Sequence, residues 1–431
     1  MIVDFTIKNF KSIKNEETLS FLAERNFNNH KSSISSFENE SINLIKTCAI
    51  YGSNASGKTN AILAFKALVS LITQSGDWKD GDEINCYEPY LLSEETINQA
   101  TQFEIEFYVE KRRYKYEIHF NQYKILFEQL DTFFTAKASN LFKRKSADDW
   151  KNVDFGEKYQ GGRKQIAFFA NNAYIAKAGN TPDSPPVIRE IFNFFRKQVD
   201  FMLAHERISV LSWDRDNRTS EIMNIFLNKI DLGIKKFQIE KNEKTHLLKN
   251  LKDIEKLPKK MQKELIQEFF ANEISKKEFF LHESEDGKLV PFPKALESSG
   301  TKKLFEILPF IIQVLNKGSM IFIDEIEGNL HPHIAELIIK LFNDSSVNRN
   351  NAQLIFTTHD LSLMNPQLFR KDQIYLVEKK LIGGTTFTNL EEFDSTLKDN
   401  SPFSKWYNEG RLGNIPSINY KEISDSLKEV F

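Results

Sequence analysis

Eight residues, Gly52-Ser53-Asn54-Ala55-Ser56-Gly57-Lys58-Thr59, constrain this chain more than any other feature, because they fit the pattern G-x-x-x-x-G-K-[ST]. That pattern does its chemistry only where a buried strand runs through a glycine loop into a helix. The flanks supply both. Residues 42 to 51 read as a buried strand, and residues 60 to 72 place Ile62, Leu63, Phe65, Leu68 and Leu71 on one face of a helix. Glycine lets the backbone approach phosphate oxygens, the loop amides and helix N-terminus donate to them, Lys58 adds a positive charge, and the Thr59 hydroxyl suits magnesium. A chance glycine turn before a helix needs none of these residue types together. ATP with Mg2+ is the expected ligand, held by Gly52, Ser53, Asn54, Ala55, Ser56, Gly57, Lys58 and Thr59.

A second feature lies far downstream. Met320-Ile321-Phe322-Ile323-Asp324-Glu325 is an apolar strand ending in two acids, and a buried strand tip is a costly place for unpartnered carboxylates. A solvated acidic pair accounts for it in isolation. Beside a phosphate loop, Asp324 is expected to serve the magnesium ion with Thr59, and Glu325 to polarise the attacking water as general base.

The pieces between and around these motifs set the organisation. Val3, Phe5 and Ile7 alternate as in a half-buried strand, and residues 103 to 120 form a hairpin about Lys111-Arg112-Arg113. Residues 131 to 290 read as a mostly helical insertion. Within it, Leu247, Leu248, Leu251, Ile254 and Leu257, then Met261, Leu265, Ile266 and Phe269 after Pro258, predict two amphipathic helices over 244 to 278. Short buried strands return at 320 to 323, 353 to 357 and 373 to 377. The fold class expected is therefore α/β, a P-loop core split into residues 1–130 and 291–431 around an inserted lobe at 131–290.

Bulk properties exclude several classes. A length of 431 residues suits about two lobes. No run of about 18 apolar residues is present to span a bilayer. The opening MIVDFTIKNF carries Asp4 and alternates, unlike a secretory signal, so a cytoplasmic location is expected. Cys48 and Cys86 are too few for a disulfide framework or a Cys-x-x-Cys metal site. The formal net charge of −2 leaves DNA contact, if any, to local clusters such as Lys111-Arg112-Arg113, Lys143-Arg144-Lys145 or Lys256, Lys259 and Lys260. Solvated loops explain those clusters equally well.

The order of motifs resembles that of ABC ATPases. Glu297-Ser298-Ser299-Gly300-Thr301 precedes the acidic strand and looks like the signature motif, departing from L-S-G-G-Q at three positions, while Thr357-Thr358-His359-Asp360 follows it. The resemblance is to SMC-like, RecF-like and OLD-like ATPases, in particular the small AAA-type group of bacterial anti-phage systems such as PARIS, Rlo-type loci and retron-linked Septu. Further carriers are Ile7-Lys8-Asn9-Phe10-Lys11-Ser12, Arg370-Lys371-Asp372-Gln373-Ile374 and Tyr407-Asn408-Glu409-Gly410-Arg411-Leu412-Gly413-Asn414-Ile415-Pro416. It implies an ABC-type head. It also implies that His359 is the switch histidine and that Ser298, Ser299 and Gly300 face the γ-phosphate held by a second copy. Asn329, within Gly328-Asn329-Leu330-His331-Pro332, falls at the loop that communicates across such a dimer. Gln102 and Lys11 are further candidates beside the nucleotide. The implied function is an ATP-hydrolysing sensor in anti-phage defence, working as a homodimer or larger homo-oligomer with a separate effector such as a nuclease. The alternative is a DNA-repair or chromosome-maintenance ATPase that clamps DNA.

Overall fold

The computed structural model describes the whole chain apart from residues 25–29, 38–41, 136, 146–149, 204–216, 231–232, 241–276, 329, 381–382, 394–396, 414–418 and 431. It divides into two compact units. The first comprises Met1–Arg207 and Val314–Phe431, the second Ile208–Gln313.

Two sheets build the first unit. One is antiparallel and holds β1 (Ile2–Lys8), β2 (Glu17–Ser20), β6 (Thr101–Val109), β7 (Arg112–Phe120), β8 (Ile125–Phe133), β9 (Ala138–Arg144) and β10 (Val153–Phe155), in the order β10-β9-β8-β7-β6-β1-β2. Alternation explains it. Phe103, Ile105 and Phe107 of β6 and Tyr114, Tyr116, Ile118 and Phe120 of β7 are buried on one face, while charged residues between them take the other. A small two-stranded sheet of β3 (Ile34–Phe37) and β4 (Ile42–Ile45) packs beside it, with Phe37 stacked on Tyr108 at 4.1 Å between ring centroids.

The other sheet contains β5 (Thr47–Gly52), β11 (Val199–Met202), β15 (Met320–Ile323), β16 (Gln353–Thr358), β17 (Ile374–Lys380) and β18 (Gly384–Asn389), ordered β11-β15-β16-β5-β17-β18. All neighbours are parallel except β17 and β18. Every residue of β5, β15 and β16 is buried, as strands covered on both faces should be. Sequence halves more than 250 residues apart thus meet: Ile355 pairs with Cys48 and Phe322 with Ile355. Buried Gln353 ties this sheet to β1, accepting from Ile2 N at 2.7 Å and donating to Ile2 O at 3.2 Å.

Helix Lys58–Thr73 lies between the two sheets. Its Phe65 ring meets Phe5 of β1 at 4.7 Å and Phe322 of β15 at 4.4 Å between centroids. Burying Ile62, Phe65, Leu68, Leu71 and Ile72 stabilises it by roughly 1.5–3 kcal/mol for each large side chain. The helix that carries the phosphate loop is therefore fixed from both sides.

The division differs from the expected insertion at 131–290. Residues 131–207 join the first unit, because β8, β9 and β10 extend the antiparallel sheet and helix Pro186–Lys197 sends Phe194 against Phe107 at 5.5 Å. Among its described residues the second unit is mixed, not mostly helical. Helix Asn217–Lys229 is followed by the sheet β12 (Ile234–Glu240), β13 (Lys277–Glu283) and β14 (Leu289–Pro293), and helix Ser299–Lys317 begins there. Phe237, Phe280 and Phe305 form its core with Met223, Leu227 and Leu308. Bulky aromatics on alternating positions favour strands over helix. The two helices expected over 244 to 278 fall almost wholly outside the described residues.

Candidate functional site

The site begins where β5 ends. Ala55 and Gly57 take positive φ values of 62° and 104°, so the loop curls before helix Lys58–Thr73 starts. Gly57 is required twice over: its φ suits glycine, and a Cβ there would stand 2.4 Å from Thr385 Oγ1 and 2.7 Å from Ser12 Oγ. At Gly52 a Cβ would meet Val377 O at 2.5 Å. Lys58 Nζ donates back to Gly52 O at 2.8 Å and Ser53 O at 3.0 Å. Burial lowers its pKa, while Glu327, Glu325 and Asp324 act in the opposite sense.

From this loop a chain of hydrogen bonds reaches the acidic strand tip. Thr59 Oγ1 donates to Asp324, 3.0 Å from Oδ1 and 3.2 Å from Oδ2. Thr357, at the end of β16, donates to Asp324 Oδ1 at 2.6 Å and accepts from Glu325 N at 2.8 Å. The costly buried carboxylate of Asp324 is thereby satisfied from one strand and one helix. Glu325 itself is exposed and holds a positive φ of 52°, a strained value for a non-glycine residue. Its backbone is turned at the strand tip so that the carboxylate leaves the buried layer.

His359 follows β16 directly. Its backbone N–H donates to Glu327 Oε1 at 2.7 Å, and its ring Nδ1 lies 2.8 Å from the same oxygen. Tyr51, the last side chain before the loop, has a buried hydroxyl without a hydrogen-bond partner, and its pKa is raised by burial and by the charges of Asp360 and Glu327.

The chemistry of a nucleoside triphosphate and Mg2+ fits these residues. Ser56 Oγ is buried and has no hydrogen-bond partner, an orphan donor within a loop whose glycines cannot carry side chains. Among the described residues no group of three or more His, Cys, Asp or Glu forms a metal site.

The structure thus brings Gly52 to Thr59, Asp324, Glu325 and His359 into one neighbourhood. Ser298, Ser299 and Gly300 belong to the second unit, where Ser298 Oγ accepts from Thr301 N at 3.1 Å and caps helix Ser299–Lys317. Glu297, standing where the signature pattern has leucine, faces His282 Nε2 at 2.7 Å. Asn329 lies outside the described residues. Gln102 sits within β6 opposite Lys8 and His119, in the antiparallel sheet, and Lys11 is paired with Glu88. Sequence reasoning named Thr357 only within Thr357-Thr358-His359-Asp360, without a role, and passed over Glu327 and Thr385, which contacts the loop from β18. The acid repeated two positions on in Asp324-Glu325-Ile326-Glu327 was a signal for one of them; Thr385 gave none beyond its place after Gly383-Gly384.

A phosphate-binding strand, loop and helix, joined through hydroxyls to an acidic strand tip in a largely parallel sheet, define an α/β P-loop nucleotide-binding protein. Residues 48–365 match the family described as "AAA domain, putative AbiEii toxin, Type IV TA system". That span is well over half the chain, and the protein belongs to this AAA-domain family. The structure is also similar to the SMC head domain from Thermotoga maritima, with 13% sequence identity and a TM-score of 0.40 over 90% of this chain and 98% of that one. None of the curated proteins matches the chain.

Proposed function

We propose that the protein hydrolyses ATP with Mg2+ and couples that cycle to a separate effector, as the sensor ATPase of a defence system. The observation that carries the catalytic part is the chain from Thr59 through Asp324 and Thr357 to Glu325, which ties the phosphate loop to the base. Thr59 and Asp324 would hold Mg2+, which supplies charge neutralisation for the phosphates when bound. Lys58 exchanges its bonds to Gly52 O and Ser53 O for phosphate oxygens. Glu325 accepts the proton of the attacking water, and His359 steadies the terminal phosphate. A second copy completes the site through Ser299 and the amides beside it, as a homodimer. The family description names a toxin of a TA system, which supports a working partner outside this chain. Among the described residues no helix is long and apolar enough to cross a membrane.

Phosphate release and nucleotide titration test this reading. Wild-type protein should turn over ATP only with Mg2+; Glu325→Gln should bind ATP yet lose turnover; Lys58→Ala should lose binding. Turnover at the wild-type rate in Glu325→Gln overturns the assigned base. Strong stimulation by DNA in the absence of any effector would favour the DNA-clamping alternative.

A further inference from the structure

Glu327 has no place in the scheme above, yet it makes the closest contacts to His359. One oxygen, Oε1, accepts the His359 backbone N–H at 2.7 Å and stands 2.8 Å from ring Nδ1. The other, Oε2, is buried and has no hydrogen-bond partner. The Glu327 side chain is 11% exposed and that of His359 56%, so the ring is pinned along one edge and open along the other.

At 2.8 Å a bare ring nitrogen would set its lone pair against those of an ionised carboxylate, so a neutral imidazole in this contact carries its proton on Nδ1. Nε2 is then the atom left at the open edge. The bland reading is that Glu327 merely closes the turn after the acidic strand. Main-chain bonds already do that, from Gly328 N to Glu325 O and from Leu330 N to Glu327 O, both at 2.7 Å. A turn-closing side chain would also have no reason to bury an unsatisfied carboxylate oxygen. Glu327 is, further, the foremost of three acids whose charge acts on Lys58.

We propose that Glu327 is the positioning residue of His359, fixing its main chain and ring together so that Nε2 is the edge presented to the terminal phosphate. The proposal rests on the ATP-hydrolysis reading. Removing a carboxylate that orients a functional histidine costs about 10–100-fold where such pairs have been measured at metal sites. Glu327→Ala should therefore lower kcat by about tenfold or more with little change in KM. Glu327→Gln, whose amide oxygen can still accept the main-chain bond and face ring Nδ1, should recover most of the rate.

Because Glu327 acts through His359, the double variant Glu327→Ala/His359→Ala should be no slower than His359→Ala alone. Wild-type kcat in folded Glu327→Ala, or a double variant slowed by the product of the single effects, overturns the proposal. A nitrogen-15 NMR spectrum of labelled histidine provides a readout independent of turnover. It should show His359 protonated on Nδ1 in the wild type and redistributed to Nε2 in Glu327→Ala. An unchanged tautomer rejects the proposal even if ATP is hydrolysed normally. Absence of hydrolysis in the wild type would instead sink the ATPase reading, and the spectrum would still decide the role of Glu327. Should Glu327→Ala fail to fold, Glu327→Met, which keeps the bulk and loses the acceptor, carries the same tests.

Discussion

Thr385 reaches Ser56 from the far end of the chain: its hydroxyl donates to the Ser56 carbonyl oxygen at 2.8 Å, inside the phosphate loop. The same hydroxyl is 2.7 Å from Ser12 Oγ, which accepts from Asn60 Nδ2 at 2.6 Å. Ser12 Oγ thus accepts from both Asn60 and Thr385, and the single Thr385 proton is divided between Ser12 Oγ and the Ser56 carbonyl. A carbonyl held this way is tied to β18, which braces the loop whose amides are proposed to face phosphate.

Thr385→Val keeps the shape and removes the donor. Losing one such bond costs about 0.5–1.5 kcal/mol, a factor of roughly 2 to 10 in equilibrium terms. Nucleotide affinity, measured by titration with a fluorescent ATP analogue, should fall by that factor while thermal stability changes little. An unchanged affinity would show that the loop needs no brace from β18.

Glu128 and Arg144 form a fully buried pair within the antiparallel sheet, 3.7 Å apart. Glu128 also accepts from Tyr174 N, Ile175 N and the Tyr116 hydroxyl, and Arg144 donates to Asn172 O and Ala170 O. Burial raises the Glu128 pKa, and the guanidinium holds it down. Arg144→Met should cost about 3–5 kcal/mol because it strands a buried carboxylate. Protonating Glu128 relieves that penalty, so the loss measured by urea unfolding should be smaller at acidic than at alkaline pH. Equal losses across pH would mean the carboxylate is not the group left in distress.

Glu391 gives a pH dependence of its own. Burial, and then a hydrogen bond shared with Glu24, push its carboxyl up to about 7, against the pull of Lys371. A folded-state pKa above the unfolded value of 4.5 means that the native protein holds a proton the unfolded chain has released. Stability from this group is therefore present at low pH and declines as pH rises from about 4.5 to 7. Glu391→Gln should flatten that part of the profile in chemical-denaturation experiments. A profile unchanged by the substitution would remove Glu391 from the titration.

What could be read from the sequence follows from how local the chemistry is. Phosphate binding demands given residue types at fixed spacing, so residues 52 to 59 stand out, as do Asp324 and Glu325 at the end of an apolar run. His359 stood out only through its neighbours. Thr385 and Ser12 lie 373 positions apart, and no local pattern could announce a bond made by folding β18 back beside the N-terminal turn. Thr357 looks like any strand threonine until β16 is placed beside β15, where its hydroxyl meets Asp324. The extent of the antiparallel sheet was missed for a related reason. The hairpin of β6 and β7 alternates cleanly, but β9 buries the charged Arg144, and its burial depends on Glu128 across the sheet.

The signature segment offers the sharpest test of assembly. Ser298 is already committed as a helix cap, with its hydroxyl 2.9 Å from Thr301 Oγ1 as well as accepting from Thr301 N. Ser299 is exposed at the first turn of helix Ser299–Lys317, where free amides and the helix dipole favour an anion. If the segment only caps a helix, Ser299→Arg costs at most about 1 kcal/mol of stability and leaves turnover intact. If it completes the site of a second copy, Ser299→Arg alone should be inactive but still bind ATP. Mixed with Glu325→Gln protein, it should regain activity, because one of the two composite sites then carries neither lesion. Hydrolysis plotted against mixing ratio should pass through a maximum between two inactive ends. A folded Ser299→Arg protein that hydrolyses ATP at the wild-type rate by itself would refute the shared site.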